Sequence, residues 1–285
     1  MARDLAITFA GGGSRAFYQL GWLQKHRDAL LERTASISGC SAGSAMATLL
    51  LTDRIDETKA FFAERRRGIR GHIVPKDLLR GRRPFPHDAV YRDTLRFALR
   101  DGGFERVKAA PFPVHFLCSA FPKLMPTGVG IALGLGLYQL EKRMRPDMKH
   151  PTYPRRVGFI AHHADARKAE SPEELIELIL SSSSTPPFTK RGRHRAQRLV
   201  DGSLIDNAPA FLAEEQPGVE RTLVLMTRPH TGCPAQVGSR LYIAPEAPLP
   251  ITRWDYRENA PVDETFAVGR ADGEAHADLL SAFLR

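Results

Sequence analysis

Two spacings of apolar residues alternate along the first fifty positions of the chain. A short apolar run, Leu5–Phe9, ends in three glycines and predicts a buried strand followed by a tight turn. Apolar residues then recur at helical spacing from about 14 to 30. A second β-prone run, Thr34–Ser38, turns sharply at 39–43 and enters a helix over about 45–50. The order strand, helix, strand, helix predicts a parallel sheet with right-handed crossover helices.

The same patterns predict elements further along the chain. We expect strands at Val114–Ser119, Val157–Ala161, Leu199–Asp201 and Thr222–Met226. We expect helices at Asp88–Leu99, Pro172–Leu180 and Asp272–Leu284. No linker rich in Pro, Ser or Gly divides the sequence and no repeat is visible, so residues 1–285 are predicted to form one α/β domain.

Two stretches depart from this core pattern. Residues 65–83 contain eight Lys or Arg against one acid. Residues 128–140 are apolar and glycine-rich, too short to span a bilayer, and a basic run follows them at 142–156. We expect the region from about 65 to 156 to contain a lid or lipid-facing excursion. Either the apolar segment docks on an anionic membrane surface while the basic runs hold headgroups, or it is a buried core helix between solvated loops.

Composition narrows the class of protein. The 285 residues are 42% hydrophobic and 26% charged, which is typical of a globular domain. A net charge of +9 favours an anionic partner such as lipid headgroups, nucleic acid or an acidic substrate. The basic runs lack interleaved aromatic residues and no nucleic-acid-binding signature is present, so we expect no nucleic-acid partner. The sequence carries no signal for the oligomeric state.

Cysteine usage and hydropathy bear on the compartment. Cys40, Cys118 and Cys233 are too few and too scattered for a disulfide framework or a zinc site, so they predict free thiols in a reducing environment. The N-terminal residues lack the profile of a signal peptide, and no run of eighteen apolar residues predicts a transmembrane helix. We therefore expect a cytoplasmic protein that is peripheral to a membrane if it binds one.

Ser41 is the strongest candidate for chemistry. It lies in Gly39-Cys40-Ser41-Ala42-Gly43, which fits the Gly-x-Ser-x-Gly nucleophile elbow. Small flanking residues let neighbouring segments approach a strained turn, and the hydroxyl projects at the start of a helix whose dipole favours nearby negative charge. For this motif taken alone, a chance match in an ordinary turn is the alternative.

Two other segments fit acyl-transfer chemistry. Gly11, Gly12 and Gly13 expose backbone N–H groups at a helix start, which suits an anion such as a phosphate or an oxyanion, although a plain tight turn is the alternative. The loop lacks the third glycine of a dinucleotide fingerprint and the Gly-Lys-Ser/Thr of a P-loop. Asp201 follows the apolar pair 199–200 at a predicted strand end, where sites form in parallel sheets. A carboxylate there suits a general base, and a turn-forming aspartate is the alternative.

Together these motifs resemble those of the patatin-like phospholipases. That family carries a Gly-Gly-Gly-x-Arg/Lys-Gly loop, a Gly-x-Ser-x-Gly elbow and a distal Asp-Gly-Gly/Ala, and the matching segments here are 11–16, 39–43 and 201–203. Ala16 stands where the family has glycine, and Ser203 replaces the second small residue of the last motif. The Ser- and Pro-rich run at 181–187, with Asn207 and Pro209, extends the resemblance, whereas about 52–155 matches nothing.

The resemblance implies a three-layer patatin-like fold, with a mostly parallel central sheet flanked by helices. It implies a lipid acyl hydrolase, of phospholipase A or lysophospholipase type, that cleaves carboxylic esters. Ser41 would be the nucleophile and Asp201 its base. Gly11–Gly13 would form the oxyanion hole, and Arg15 would support that loop or meet a lipid phosphate. The implied partner is a lipid substrate, with no metal and no organic cofactor.

A Ser-His-Asp esterase of another α/β-hydrolase type is the competing interpretation. The histidine would follow the aspartate in the sequence, and His230 and His276 meet that requirement. A non-catalytic relative that binds anionic lipid is a third interpretation. The basic run 190–195 precedes Asp201 closely, and it either flanks the mouth of the site or forms an exposed hairpin.

Overall fold

The strands form one central sheet. The structure, a computed structural model, describes residues 3–74, 84–122, 124–148 and 150–285. Nine strands pair into one sheet within those ranges. In chain order they are β1 Leu5–Phe9, β2 Thr34–Cys40, β3 Val114–Ala120, β4 Ile160–Asp165, β5 Gly192–His194, β6 Gln197–Asp201, β7 Arg221–Leu225, β8 Ala235–Val237 and β9 Arg240–Ile243.

Twelve α-helices lie in the same described ranges. They are α1 Phe17–Leu23, α2 Arg27–Arg33, α3 Ala42–Thr52, α4 Ile55–Arg65, α5 His87–Leu99, α6 Gly103–Lys108, α7 Thr127–Met144, α8 Tyr153–Arg156, α9 Pro172–Ser182, α10 Ala210–Glu214, α11 Val262–Ala275 and α12 Ala277–Leu284. The start of helix α9 shows how local residues fix where a helix begins. The Ser171 side chain accepts a hydrogen bond from the N–H of Glu174, and Pro172 occupies the first turn.

The centre of the sheet is parallel and its margins are antiparallel. Strands β3, β2, β1, β7 and β9 lie side by side in parallel, and β8 closes one edge antiparallel to β9. At the other end β4 runs antiparallel to β3, and the β5–β6 hairpin also joins β3. The predicted α/β fold with a mostly parallel central sheet flanked by helices is therefore confirmed.

Helices cover both faces of the sheet. Alternate residues of a strand point to opposite faces, and both faces carry apolar side chains that pack against helices. On one face Ile7 and Leu223 enter the largest hydrophobic cluster, which also holds Leu20 of α1. On the other face Leu117 packs in a separate cluster with Leu212 of α10. The result is three layers, with the sheet between two layers of helices.

Several predicted elements differ from the observed ones. Strand β1 has the predicted bounds, but the strand predicted at Val157–Ala161 is wrong in its first half. The N–H groups of residues 157 and 158 donate to carbonyls of α8, and Gly158 has a φ of 91°, so these residues form a turn and the strand begins at Ile160. The helix predicted over about 14–30 is divided into a 3₁₀ turn, α1 and α2, and the one predicted at 272–284 is divided at His276.

The two predicted excursions have different outcomes. Residues 128–140 lie in α7, which is a surface helix and not a buried core helix, because only Gly130, Gly134, Tyr138 and Glu141 along it are buried. Of the basic run 65–83, residues 75–83 lie outside the described residues. The basic run 190–195 contributes to the β5–β6 hairpin. No described helix combines the length and the apolar character needed to cross a membrane.

Candidate active site

Strand β3 brings the candidate serine and aspartate together. Residues Cys118–Ala120 of this strand pair with β4 along one edge and with β6 along the other edge. Strand β2 also pairs with β3, so β2 and β6 share the edge that β4 does not occupy. Cys40, the last residue of β2, pairs with Leu117, and Asp201, the last residue of β6, pairs with the next residue, Cys118. Two strands that approach β3 from opposite directions thus end beside each other.

The turn at Ser41 has the strained geometry of a nucleophile elbow. Ser41 has φ 55° and ψ −131°, a backbone conformation that a residue with a side chain rarely adopts. The flanking glycines permit the close packing that holds it. A Cβ on Gly43 would lie 2.2 Å from the carbonyl oxygen of Phe9, and one on Gly39 would lie 2.9 Å from the Cα of Ser44. Helix α3 begins directly after the serine, as the sequence predicted.

Ser41 and Asp201 are joined by a buried hydrogen bond. The Ser41 hydroxyl donates to Oδ2 of Asp201 at 2.9 Å, and the two residues are 4% and 2% exposed. The other carboxylate oxygen, Oδ1, accepts the N–H of Ser203 at 2.8 Å, which fixes the carboxylate plane. The Thr185 hydroxyl also donates to Oδ2, at 3.3 Å. Both side chains are therefore largely removed from bulk solvent.

The serine-rich run before Asp201 supports the elbow. The backbone N–H of Ser41 donates to the Ser182 hydroxyl at 2.8 Å, and that hydroxyl donates to the carbonyl of Leu117 at 2.6 Å. The N–H of Asp201 donates to the carbonyl of Ser184 at 2.8 Å. This run therefore links the serine turn to β3 and also holds the backbone of Asp201.

The three loop glycines differ in what their N–H groups do. The N–H of Gly11 donates to the carbonyl of Asn207 at 2.9 Å. In the part of the chain that the structure describes, the N–H groups of Gly12 and Gly13 have no acceptor. Gly13 has a φ of 59°, and a Cβ there would lie 1.9 Å from the carbonyl oxygen of Arg253, so only glycine fits.

Three side chains, two of them from distant segments, fix the peptide planes of this loop. The carbonyl of Gly11 accepts the Thr227 hydroxyl at 2.8 Å and the Asn207 amide at 3.3 Å. The carbonyl of Gly12 accepts Nε of Arg15 at 3.3 Å. A carbonyl and the following N–H belong to one planar trans peptide, so fixing the carbonyl also fixes the N–H. Thr227 and Asn207 thereby orient the N–H of Gly12, and Arg15 orients that of Gly13.

Arg253 is a site residue that the sequence analysis missed. Its Nη2 lies 3.7 Å from Oδ2 of Asp201, and its carbonyl accepts the N–H of Ser14 just after the glycine loop. Burial, together with the charges of Arg253 and Arg228, lowers the pKa of Arg15 to about 10, so these cations lie in one neighbourhood. Arg253 and Thr227 belong to no motif, and only the fold brings them to the loop.

A narrow apolar cavity opens at Ser41. Its empty space, measured together with the open solvent at its mouth, is about 700 Å³. Its walls come from α3, α4, α5 and the loop around residue 254, and the apolar lining residues include Ala45, Met46, Leu49, Phe62, Leu95 and Trp254. His87 also lines it, and burial lowers the pKa of this imidazole, so it is neutral at pH 7. A flexible hydrocarbon chain fits such a lining.

The histidines proposed for a triad lie in other hydrogen bonds. Nδ1 of His230 is 2.9 Å from the carboxylate of Asp147. Nδ1 of His276 accepts the indole N–H of Trp22 at 3.1 Å. The Ser41 hydroxyl donates to a carboxylate and not to an imidazole. No cluster of three or more His, Cys, Asp or Glu suited to a metal ion occurs among the residues described.

The match to a family model agrees with the motifs. The sequence model of the patatin-like phospholipase family matches residues 7–214. Two solved structures are similar in fold: VipD from Legionella pneumophila, with 10% identity and a TM-score of 0.48, and human GIVD cytosolic phospholipase A2, with 12% identity and a TM-score of 0.42. The alignments cover 98% and 99% of this chain but 67% and 63% of those chains, about two thirds of their length. No curated protein sequence matches this chain.

Proposed function

The chain belongs to the patatin-like phospholipase family, and from that membership we propose that it is a serine acyl hydrolase of the phospholipase A or lysophospholipase type. Ser41 is the proposed nucleophile and Asp201 its base. The observation that carries the proposal is the 2.9 Å hydrogen bond from the Ser41 hydroxyl to the Asp201 carboxylate at the wall of an apolar cavity.

Acylation follows from the positions of these two groups. Asp201 takes the hydroxyl proton as Ser41 Oγ bonds to the ester carbonyl carbon, and the carbonyl π electrons move to the oxygen. The resulting tetrahedral oxyanion collapses, the bond to the alcohol oxygen breaks, and that oxygen receives the proton from Asp201. The products are an acyl ester on Ser41 and a lysolipid or other alcohol.

Deacylation repeats the sequence with water. Asp201 takes a proton from a water molecule as the water oxygen attacks the acyl carbon, and the proton then returns to Ser41 Oγ as the fatty acid leaves. The same carboxylate thus serves as base and acid in both halves of the reaction. The N–H of Ser203 and the burial of the pair hold it in place throughout.

The glycine loop supplies the proposed oxyanion hole. The N–H groups of Gly12 and Gly13 are the proposed donors, because the N–H of Gly11 is already bonded to Asn207. Donors fixed before the reaction stabilise the developing charge without reorganising, and removing one such donor costs about 10²–10³ in kcat in a well-studied hydrolase. Arg15 acts here as a positioning residue through the carbonyl of Gly12.

The apolar cavity is the proposed acyl site. Helix α3 starts at the nucleophile and runs along the cavity, so Ala45 and Leu49 lie one and two turns from Ser41. Each methylene moved from water into such a site contributes about 0.8 kcal/mol of binding free energy. The cavity therefore favours esters of fatty acids over esters of short acids.

Product analysis on defined lipids tests the proposal. The chain is incubated with phosphatidylcholine, lysophosphatidylcholine and a neutral diacylglycerol, and the products are identified by mass spectrometry. Release of free fatty acid from either phospholipid, absent in Ser41→Ala, supports the proposal. Binding of lipid with no fatty acid release from any of the three would favour a non-catalytic lipid-binding relative instead.

A further inference from the structure

Helix α7 carries an apolar face that no other part of the described structure covers. Val129, Leu140 and Met144 are 58%, 49% and 64% exposed, and Leu124 just before the helix is 98% exposed. At 100° per residue, these three helix positions fall within about 60° of arc. We call this strip, with Leu124, the outer face of α7.

A second side of α7, about 100° around the helix from the outer face, is packed next to the candidate site. A Cβ on Gly134 would lie 2.9 Å from a methyl carbon of Leu204, in the 3₁₀ turn that directly follows Asp201. One on Gly130 would lie 2.5 Å from the ring of Phe121. These contacts anchor the helix firmly, so its exposed side is a fixed feature of the surface.

Cations surround one end of the outer face. Arg143, Arg145, Arg155 and Arg156 are exposed there. The acid of α7, Glu141, is buried and accepts hydrogen bonds from the N–H groups of residues 152 and 153, so it leaves little negative charge at the surface. An exposed acid, Asp147, lies in the same stretch. These four arginines against two acids, Glu141 and Asp147, leave this end with a net positive charge.

We propose that the outer face of α7 docks on an anionic lipid bilayer, with its apolar side chains in the interface and the four arginines on the headgroups. Burial of apolar side chains and attraction to anionic lipid act together in such binding. Each Lys or Arg near the membrane surface adds to the binding free energy. The choice of a lipid surface as the partner rests on the proposed function. A single helical ridge is narrow for a stable protein interface, which buries about 800 Å² on each partner, whereas a fluid bilayer accepts one.

Vesicle binding in the Ser41→Ala chain tests this without hydrolysis. Sedimentation is measured with phosphatidylcholine vesicles and with vesicles half phosphatidylglycerol. The chain is expected to bind the anionic vesicles preferentially and to be released by salt. Val129→Asp should weaken that binding roughly tenfold, while Val237→Asp, a matched valine that is 60% exposed on β8, should not. Arg143→Glu should weaken it, whereas Arg270→Glu, at an exposed position of α11, should not.

Two further measurements make the result decisive. Thermal unfolding of each variant verifies the fold, and Leu140→Ser replaces Val129→Asp if that variant unfolds. Absence of binding to anionic vesicles, or equal loss in the two valine variants, would overturn the proposal, as would self-association through this face without vesicle binding. Failure of the proposed function would appear separately, because a soluble fluorophosphonate tests Ser41 without vesicles.

Discussion

The Thr227 hydroxyl donates to the carbonyl oxygen of Gly11 at 2.8 Å, across 216 residues of sequence. The bond fixes the peptide whose N–H belongs to Gly12, a proposed oxyanion donor. Thr227→Val keeps the shape but removes the bond, which is worth about 1 kcal/mol net. We expect kcat to fall roughly five- to tenfold with KM little changed, measured on a soluble ester.

Thr227→Ser is the matched control for that variant, because it retains the hydroxyl. It should keep most of the wild-type kcat. If Thr227→Val changes only the unfolding temperature and leaves kcat unaltered, Thr227 has a structural role and does not orient the loop.

The length of the proposed acyl cavity should set chain-length preference. Leu49 lies two turns of α3 beyond Ser41, the proposed nucleophile, and Leu49→Trp would fill the cavity there. We expect kcat/KM for dodecanoyl esters to fall while that for butyryl esters is retained, measured on a series of p-nitrophenyl esters. Leu51→Trp places the same side chain on the opposite side of the helix and should not shift the preference. If Leu49→Trp leaves the chain-length preference of the ester series unchanged, the acyl chain does not bind in this cavity.

Glu141 should couple α7 to the following loop in a pH-dependent way. Burial alone would raise the pKa of Glu141, but hydrogen bonds from Tyr153 and Thr152 and the charge of Arg145 hold it below the ordinary 4.5. A lowered pKa stabilises the folded state above the ordinary value, and this stability is lost as pH falls through the folded-state pKa. Glu141→Gln should therefore lower the free energy of unfolding at pH 7 by about 1–3 kcal/mol.

Urea denaturation at pH 7 and at pH values below 4.5 measures this difference. The gap between wild type and Glu141→Gln should narrow as the carboxylate becomes protonated. Glu177→Gln removes a half-exposed carboxylate paired with Arg92, and the expected cost there is at most about 1 kcal/mol. Equal effects of the two substitutions would contradict the role assigned to Glu141.

In a Ser-His-Asp triad, substitution of the catalytic histidine would abolish ester hydrolysis, whereas the Ser41–Asp201 pair needs no histidine. His230→Asn and His276→Asn should each retain most ester hydrolysis, because these imidazoles bond to Asp147 and Trp22. His276→Asn should lower the unfolding temperature, since it removes a partner of the buried indole. Loss of hydrolysis in a folded His230 or His276 variant would restore the triad.

Local signals in the sequence identified much of this architecture. Strand β1 and the elbow at Ser41 are set by neighbouring residues, a short apolar run and glycines at fixed spacing, so pattern analysis placed them well. The edge strand β4 contains His162 and His163 where a buried strand would be apolar, and its predicted position was therefore shifted.

The supporting part of the site is not visible in the sequence for a different reason. Thr227 contacts the carbonyl of Gly11, and Arg253 contacts Ser14 and Asp201, but no sequence spacing relates either residue to these partners. The pairing of Cys40 and Asp201 with adjacent residues of β3 likewise depends on a strand that no motif marks. Motifs named the proposed reacting groups, whereas the residues that orient them required the fold.

Acyl-enzyme formation in Asp201→Asn tests the central claim most directly. Single-turnover acylation of Ser41 by a soluble ester is followed by intact-protein mass spectrometry in the wild type and in Ser41→Ala, Asp201→Asn and Asp165→Asn. Asp165 is the control, a buried aspartate of β4 that pairs with His115 near the start of β3. Loss of the proposed general base should slow acylation about 10²–10⁴-fold in Asp201→Asn. Acylation should be abolished in Ser41→Ala and stay near the wild-type rate in Asp165→Asn. Acylation of Asp201→Asn at the wild-type rate would contradict the account.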